Sequence, residues 1–292
     1  MDLSVIIVNW NVRQFLYTCL TSILAQTQSI SFEVFVVDNA STDGSCEMIE
    51  KEFPQVKLIK NKTNRGFAAA NNQAIKLAQG DYVLLLNPDT QLLDNSLEKL
   101  FLFAKNNPKA SVITPKLLFS DGRLQLSVRR LPGFWDQFFI LLKLHNFFPK
   151  LSAVKKYYMF DFNYQQTAKV EQVMGAAMLI KREVFGKVGL LDEKFWLLFE
   201  EVDFCQRLKQ AGCEIYYYPK AQIIHHKAKS FNQRKTLAKQ INFNHNLFNY
   251  FKKHKPFYQL FFLWLLQPIS LFLAAVDQFL GIKQRVGKDN NL

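Results

Sequence analysis

Cysteine is scarce in this chain. Its four residues, Cys19, Cys46, Cys205 and Cys213, form no Cys-x-x-Cys pair and show no metal-ligand spacing. That argues against a disulfide-stapled scaffold and leaves reduced thiols that serve as packing residues. A positively charged leader is missing as well: Met1 is followed by Asp2 and only a short apolar run, so the head of the chain is expected to be cytosolic. No clean apolar stretch of about 20 residues occurs, as a membrane-crossing helix would need. Phe257 to Ile282 comes nearest, but Gln259, Gln267, Pro268 and Asp277 interrupt it. A pair of helices lying on a membrane surface fits that run, as does an ordinary docking helix. Internal repeats and low-complexity tracts are also absent.

Apolar residues, at 49% of 292 positions, are plentiful, and charged ones make up 21%, enough for a packed interior. This length suits one large α/β domain with an appendage. The net charge of +13 is uneven: from Lys220 onward twelve Lys/Arg face two acids, Asp277 and Asp289. Such a surface attracts nucleic acid, anionic lipid or phosphorylated substrates. Nucleic acid is not expected as a partner, because no nucleic-acid motif accompanies the charge and the aromatics lie in apolar runs. Lys252, Lys253 and Lys255 on one side of Phe257–Ile282, and Lys283, Arg285 and Lys288 on the other, are placed where cations meet lipid head groups. The expected division is a catalytic domain over 1–229 and a basic, aromatic, helical, membrane-associated tail over 230–292.

Strand and helix signals alternate from the start. Leu3 to Val8, Phe32 to Val37, Val56 to Ile59 and Tyr82 to Leu86 read as strands. Helical patterns run to about Ala25, over Gly44 to Phe53 and over Ala68 to Ala78. Alternation of this kind predicts a mostly parallel, Rossmann-like sheet flanked by helices. Beyond Asp89 it weakens: a helix over Asp94 to Lys105, a hairpin turned at Asp121-Gly122, and an aromatic insertion from Phe134 to Phe148. A strand over Val170 to Ile180, a helix over Phe199 to Ala211 and strands at Ile215 to Tyr218 and Gln222 to His225 complete the reading.

Ligands of such sheets sit beyond the carboxyl ends of the strands. Asn9, then Asp38, Asn39 and Ser41, then Asn64-Arg65-Gly66, and finally Asn87-Pro88-Asp89 follow successive strands there. Asp38 can accept hydrogen bonds from a nucleoside, although turn chemistry or a helix cap would place an acid there equally well. Asp89 can hold Mg²⁺ or Mn²⁺ against a diphosphate, with phosphate oxygens and water completing the shell and Asn87 assisting. A helix cap is again the plain alternative.

Glu200, Glu201 and Asp203 crowd the start of one helix, where acids often serve only the helix dipole. At 100° per residue Glu200, Asp203 and Arg207 share a polar side, whereas Glu201 falls with Leu197, Leu198, Phe204, Cys205 and Leu208. A carboxylate so placed is desolvated, its pKa moves up, and it suits a general base. His225 or His226 can offer an imidazole to a metal or a leaving phosphate, or be structural. Gly175 and Ala176, small residues inside a strand, mark close approach of a ligand or of a helix.

Taken in order, VIIVNWN, VVDNASTDGS, NRGFAAANNQAI, YVLLLNPDT, the run from VMGAAM through FEEVDFCQRLKQAG, and IIHH resemble the family 2 inverting glycosyltransferases, and within them the rhamnosyltransferase-like branch. The matching stretches run from Val5 to His226. The resemblance implies the nucleotide-binding fold called GT-A, with Asp38 on the nucleoside, Asn9 and Arg65 close by, and Asp89 as the metal ligand of an Asp-x-Asp element whose first acid is here Asn87. It implies Glu201 as the base and His225 beside the metal or diphosphate, with His226 as its rival; Glu200, Asp203, Gly175 and Ala176 would line the donor and acceptor pocket. The implied reaction moves a sugar, rhamnose from dTDP-rhamnose above all, from a nucleotide-diphosphate donor to a lipid-linked glycan at the cytoplasmic face of a membrane, in surface polysaccharide or lipopolysaccharide assembly. Galactofuranose, glucose or N-acetylhexosamine transfer, or an inactive nucleotide-sugar-binding protein, are the alternatives.

Overall fold

A computed structural model describes residues 1–148, 151–226 and 236–279. The expected boundary between 229 and 230, and the basic flank at Lys283, Arg285 and Lys288, lie outside the described residues.

Alternating apolar residues open the fold. Strand β1 (Leu3–Asn9) sends Val5 and Ile7 into one layer and Ile6 and Val8 into the other, so both faces of the sheet are covered. Around it, β2 (Phe32–Asp38), β3 (Lys57–Lys60) and β4 (Tyr82–Leu86) pair in the parallel order β3-β2-β1-β4. Helices α1 (Arg13–Gln26), α2 (Ser45–Glu52) and α3 (Phe67–Ile75) make the crossovers. Leu16, Leu20, Ile23 and Ile49 cover one face; Ala70 and Ala74 cover the other. Because the register aligns Asn9 with Asp38, the first two polar clusters reach the rim side by side.

The second half departs from the expected parallel pattern. Past Asp89 the chain forms β5 (Thr90–Leu93), helix α4 (Ser96–Asn106) and β6 (Ala110–Leu118), then β7 (Leu124–Gln125) and β8 (Val128–Arg129). Helices α5 (Phe134–Leu141) and α6 (Ser152–Tyr158) follow, the former within the expected aromatic insertion. The expected strand over Val170 to Ile180 is broken into β9 (Ala168–Val170), β10 (Gln172–Val173) and β11 (Ala177–Lys181), leaving Met174 to Ala176 as a turn. Helices α7 (Glu183–Val188) and α8 (Glu200–Gln210) precede β12 (Glu214–His225), a single strand where two were expected. The order is β3-β2-β1-β4-β11-β6-β12-β5, with β11 antiparallel to β4 and β6. The sheet is therefore mixed: four parallel strands joined to a partly antiparallel half.

Three helices follow: α9 (Thr236–His254), α10 (Phe257–Leu265) and α11 (Gln267–Phe279). α9 and α10 bury Leu247, Tyr250, Phe251 and Leu263 with Phe195, Phe199 and Val202, the segment that leads into α8, and with Leu141 of α5. No single described helix is long and apolar enough to cross a membrane; α10 and α11, bent by 42°, meet that test only together. Their outer side exposes Phe257, Phe261, Phe262, Trp264 and Phe272.

Candidate active site

One corner of the site is built by the ends of β1 and β2. Asn9 Nδ2 donates to Asp38 Oδ2 at 2.8 Å and to Ser41 Oγ at 3.1 Å, while the other Asp38 oxygen accepts from the Ser41 amide at 2.8 Å. Turn chemistry and rim placement thus coexist at Asp38, and the Asn9 Oδ1 atom is buried with no protein partner. Asn61 Nδ2 donates to Asn39 Oδ1, and Asn39 Nδ2 donates to the Gly66 carbonyl, holding the next loop in place. Arg65 projects outward from that loop. Gly66 has φ +83°, and a Cβ there would stand 2.6 Å from the Trp196 ring, so only glycine fits. The loop after β3 is thereby pressed against the segment that carries the two glutamates.

Asp89 and His225 meet because β12 pairs antiparallel with β5, His225 opposite Thr90, and the His226 amide donates to the Asp89 carbonyl at 2.8 Å. Both side chains are buried, with His225 Nε2 3.3 Å from Asp89 Oδ1. On the far side of the ring, Nδ1 stands 2.9 Å from Gln125 Oε1, and Asn87 Nδ2 approaches Nε2 at 3.4 Å. With Nδ1 donating to the glutamine oxygen, Nε2 turns a lone pair toward the carboxylate. Two acceptors facing each other in a buried corner call for a cation between them. The spacing fits, since ligands about 2.1 Å from an octahedral cation stand about 3 Å apart. Among the described residues no group of three or more His, Cys, Asp or Glu side chains converges as a metal cluster. Two protein ligands with room for phosphate oxygens is the arrangement a hard cation accepts. His226, the rival, instead faces Ser120 Oγ at 2.7 Å and the Phe15 ring, outside this corner.

The corner at the start of α8, which holds Glu200 and Glu201, is organised differently. Leu198 and Phe199 both have left-handed backbone, at φ 74° and 71°, which costs a side-chain-bearing residue about 1–2 kcal/mol. Their turn aims Glu200 and Glu201 inward. Gly175 lies against the Glu201 side chain, with a Cβ there only 3.6 Å from that of Glu201. The neighbouring Ala176 carbonyl accepts from the Asn87 amide at 2.9 Å. The turn Met174 to Ala176 is therefore the bridge between the two corners. Burial pushes the Glu201 carboxyl up, as the helical wheel indicated, and the Arg129 guanidinium opposes that rise. Glu200 is raised as well, by burial and then by the charge of Glu201. One oxygen of each glutamate is shielded without a hydrogen-bond partner.

The wheel fails for the other acids. Glu200 and Asp203 were expected on the polar side of the helix, yet they are 5% and 0% exposed, Asp203 because Lys253 and His254 of α9 cover it. Asp203 accepts from Arg207 Nε at 2.8 Å, Lys253 Nζ at 2.8 Å and His254 Nε2 at 2.7 Å. It fastens the tail, and the expectation that it lines the substrate pocket is corrected accordingly. Gln125, Arg129 and Asn246 were not singled out from sequence. A glutamine alternating into the apolar side of Leu124-Gln125-Leu126 was the only available signal.

A concavity of about 670 Å³ opens at the opposite end of the sheet, beside Asp81, Tyr82 and Lys181. Tyr82 begins β4, so this hollow lies away from the strand ends that carry the polar clusters.

The family model for glycosyl transferase family 2 matches residues 4–189. An N-acetylglucosaminyl-diphospho-decaprenol L-rhamnosyltransferase of Mycobacterium tuberculosis is 30% identical over 208 residues, 68% of this chain and 67% of that protein. An O-antigen biosynthesis protein of Myxococcus xanthus is 28% identical over 74% of this chain but only 16% of its own length. Among solved structures, Pyrobaculum calidifontis mannosyltransferase PcManGT, in complex with GDP-Man and Mn²⁺, superposes with a TM-score of 0.57 at 18% identity, over 94% of this chain and 73% of that one. Staphylococcus aureus TarS gives 0.57 at 17% identity, over 86% and 39%. These likenesses support the mixed α/β nucleotide-sugar fold on which the two corners are mounted. With a family model covering well over half its length, the chain belongs to glycosyl transferase family 2 and is a glycosyltransferase.

Proposed function

We propose that this enzyme transfers a sugar, with inversion at the anomeric carbon, from a nucleotide-diphosphate donor to a lipid-linked glycan at the cytoplasmic face of a membrane, with dTDP-rhamnose as the leading donor. The observation that carries the reading is the bridge at Gly175 and Ala176, which has a metal-competent Asp89–His225 pair on one side and a desolvated glutamate on the other. The rhamnose donor and the lipid-diphosphate acceptor are suggested by the mycobacterial relative, and the cation by the Mn²⁺ in the PcManGT complex.

In this mechanism Asp38 and Asn9 receive the nucleoside, with Arg65 at the edge of the nucleotide. Asp89 and His225 would hold Mg²⁺ or Mn²⁺, with Asn87 beside them; when bound, the ion supplies positive charge to a departing diphosphate. Glu201, as the carboxylate, takes the proton of the acceptor hydroxyl. That oxygen bonds to the anomeric carbon from the face opposite the diphosphate, whose C–O bond breaks with its electron pair, so the configuration inverts without a covalent enzyme intermediate. Burial holds both Glu200 and Glu201 above the usual carboxylate range, and Glu201 is the one that lies against Gly175.

Residues 1–229 act as the catalytic domain, and 230–292 carry it on the bilayer. The exposed rings of Phe257, Phe261, Phe262, Trp264 and Phe272 supply apolar surface, and the lysines before α10 supply charge for anionic lipid. The test is a donor screen in Mn²⁺ with an acceptor of N-acetylglucosamine linked through diphosphate to a prenyl chain. Acceptor-dependent dTDP release from dTDP-rhamnose and an inverted product are expected. Faster release from a UDP-hexose or UDP-galactofuranose would replace rhamnose, and no release from any donor would overturn the reading.

A further inference from the structure

Arg129 is a half-buried arginine whose charge no carboxylate neutralises by an ion pair among the described residues. It lies on β8 opposite Gln172 of β10, and β10 runs into the turn that carries Gly175 against Glu201. Its guanidinium carbon stands 5.1 Å from the centre of the Tyr158 ring and 5.9 Å from that of Tyr157. Stacking on aromatic faces fixes the plane of the fork without consuming its charge. The Arg130 amide donates to the Tyr157 carbonyl at 3.0 Å, which locks β8 onto α6.

A half-buried arginine oriented by two rings and without an ion-pair partner is a receptor for an anion with two or more oxygens, because its five N–H donors match phosphate geometry. Two anions enter this site. The donor diphosphate has its own corner, at Asp89 and His225 and the ends of β1 and β2. Arg129 belongs instead to the corner of the base. Its field reaches Glu201, the side chain that must touch the acceptor hydroxyl. Tyr157 belongs to α6, which packs on α5, and α5 packs Phe134 against Phe262 of α10. Arg129 therefore stands between the base and the helices that expose their aromatic side.

We propose that Arg129, clamped by Tyr157 and Tyr158, binds the diphosphate that joins the acceptor glycan to its lipid. The assignment rests on the lipid-linked acceptor of the preceding section. It makes Arg129 a specificity residue: acceptors are selected by the diphosphate as well as by the sugar.

The experiment uses the full chain and two acceptors with the same sugar, N-acetylglucosamine linked to farnesyl diphosphate and N-acetylglucosamine as its octyl glycoside. Loss of charge-assisted hydrogen bonds in Arg129→Ala should raise KM for the diphosphate acceptor about 10- to 100-fold. KM for the octyl glycoside and for the donor should stay within about twofold by the same reasoning, since neither is held by the removed fork. Arg129→Lys, which keeps the charge but loses the planar fork, should fall between wild type and Arg129→Ala and guards against misfolding of the alanine variant. Free farnesyl diphosphate should compete with the acceptor on the wild type and lose that competition in both variants. Because the Arg129 charge also acts on Glu201, any change in kcat should be common to both acceptors; an equal rise in KM on both, or a raised donor KM, would overturn the proposal and assign Arg129 to the base or to the nucleotide. Wild-type enzyme that treats the two acceptors alike would instead remove the lipid-diphosphate reading, and this assignment with it.

Discussion

The two corners of the active site are secured by opposite means. Asn9, Asp38 and Asp89 stand on or just beyond parallel strands, and His225 ends a strand that pairs directly with the segment after Asp89, so backbone ladders fix their positions. Glu201 stands after two left-handed residues, on a helix whose approach is packed by α9 from more than 40 residues downstream. The corner proposed for the donor is a property of the sheet, whereas the corner proposed for the base is a property of how the tail docks. If this contrast is sound, the base can be disabled without disturbing the donor, and the tail can be loosened with damage confined to the base.

The largest effect should come from Glu201→Gln. Removing a general base lowers turnover on the order of 10³-fold, while donor affinity measured by calorimetry with Mn²⁺ should stay at the wild-type value. In the wild type, burial raises the Glu201 pKa, so the carboxylate form is lost as pH falls through that raised value. kcat should fall on the acid side, and the residual rate of Glu201→Gln should lack that limb. Full turnover by the variant would remove the base assignment; weakened donor binding would remove the separation of the corners.

Next is Asp203. Burial alone would raise its carboxyl, but His254, Lys253 and Arg207 overcome that and hold it at about 2. A depressed carboxylate contributes stability that is complete above its unfolded value near 4 and lost as pH falls from there to about 2. Asp203→Asn should cost about 3 kcal/mol at pH 7, where Arg207 and Lys253 lose their counter-charge in a buried setting. Urea titrations should show the gap between variant and wild type narrowing between pH 4 and pH 2. A gap that is constant with pH would mean that the cluster is not what fastens α9.

The same contrast explains what was legible in the sequence. Asp38 and Asp89 could be read because each follows a short β-branched or apolar run, and strand alternation fixes where such a run ends. Glu201 could be read from one helical wheel. Its neighbours could not: a wheel assumes one wet side, and nothing near Asp203 announces that Lys253 and His254 will cover it, nor does anything near Glu200 announce its burial. β5 escaped notice as four residues, Thr90 to Leu93, that continue smoothly into a helix pattern. β6 was obscured by Pro115, which the strand accommodates where β12 shifts register between Tyr218 and Gln222. Gln125 and Arg129 lie on two-residue strands, too short for any periodicity. Long-range pairing, which a local pattern does not encode, supplied most of what was missed.

The smallest effect tests the weakest part of the base corner, its strained turn. Asn246 is fully buried on α9, and its Nδ2 donates to the carbonyls of Leu197 at 2.7 Å and Leu198 at 3.0 Å. Asn242 Nδ2 donates to Leu197 as well, at 2.6 Å. Without Asn246 the Leu198 carbonyl loses this partner in a turn that already carries two left-handed residues, so the turn should relax toward ordinary backbone and swing Glu201 off the bridge at Gly175. Leaving a buried acceptor unpaired costs about 1–3 kcal/mol, of which only part should appear in the rate because Asn242 still holds Leu197. Asn246→Ala is therefore expected to lower kcat about tenfold, the equivalent of 1.4 kcal/mol, with donor affinity unchanged. Asn246→Asp, which keeps the shape but replaces the donor with an acceptor, should be worse than alanine in kcat and equal to it in donor affinity. A variant that loses donor binding and turnover in parallel would show that the turn supports both corners, and that the sheet does not hold the nucleotide alone.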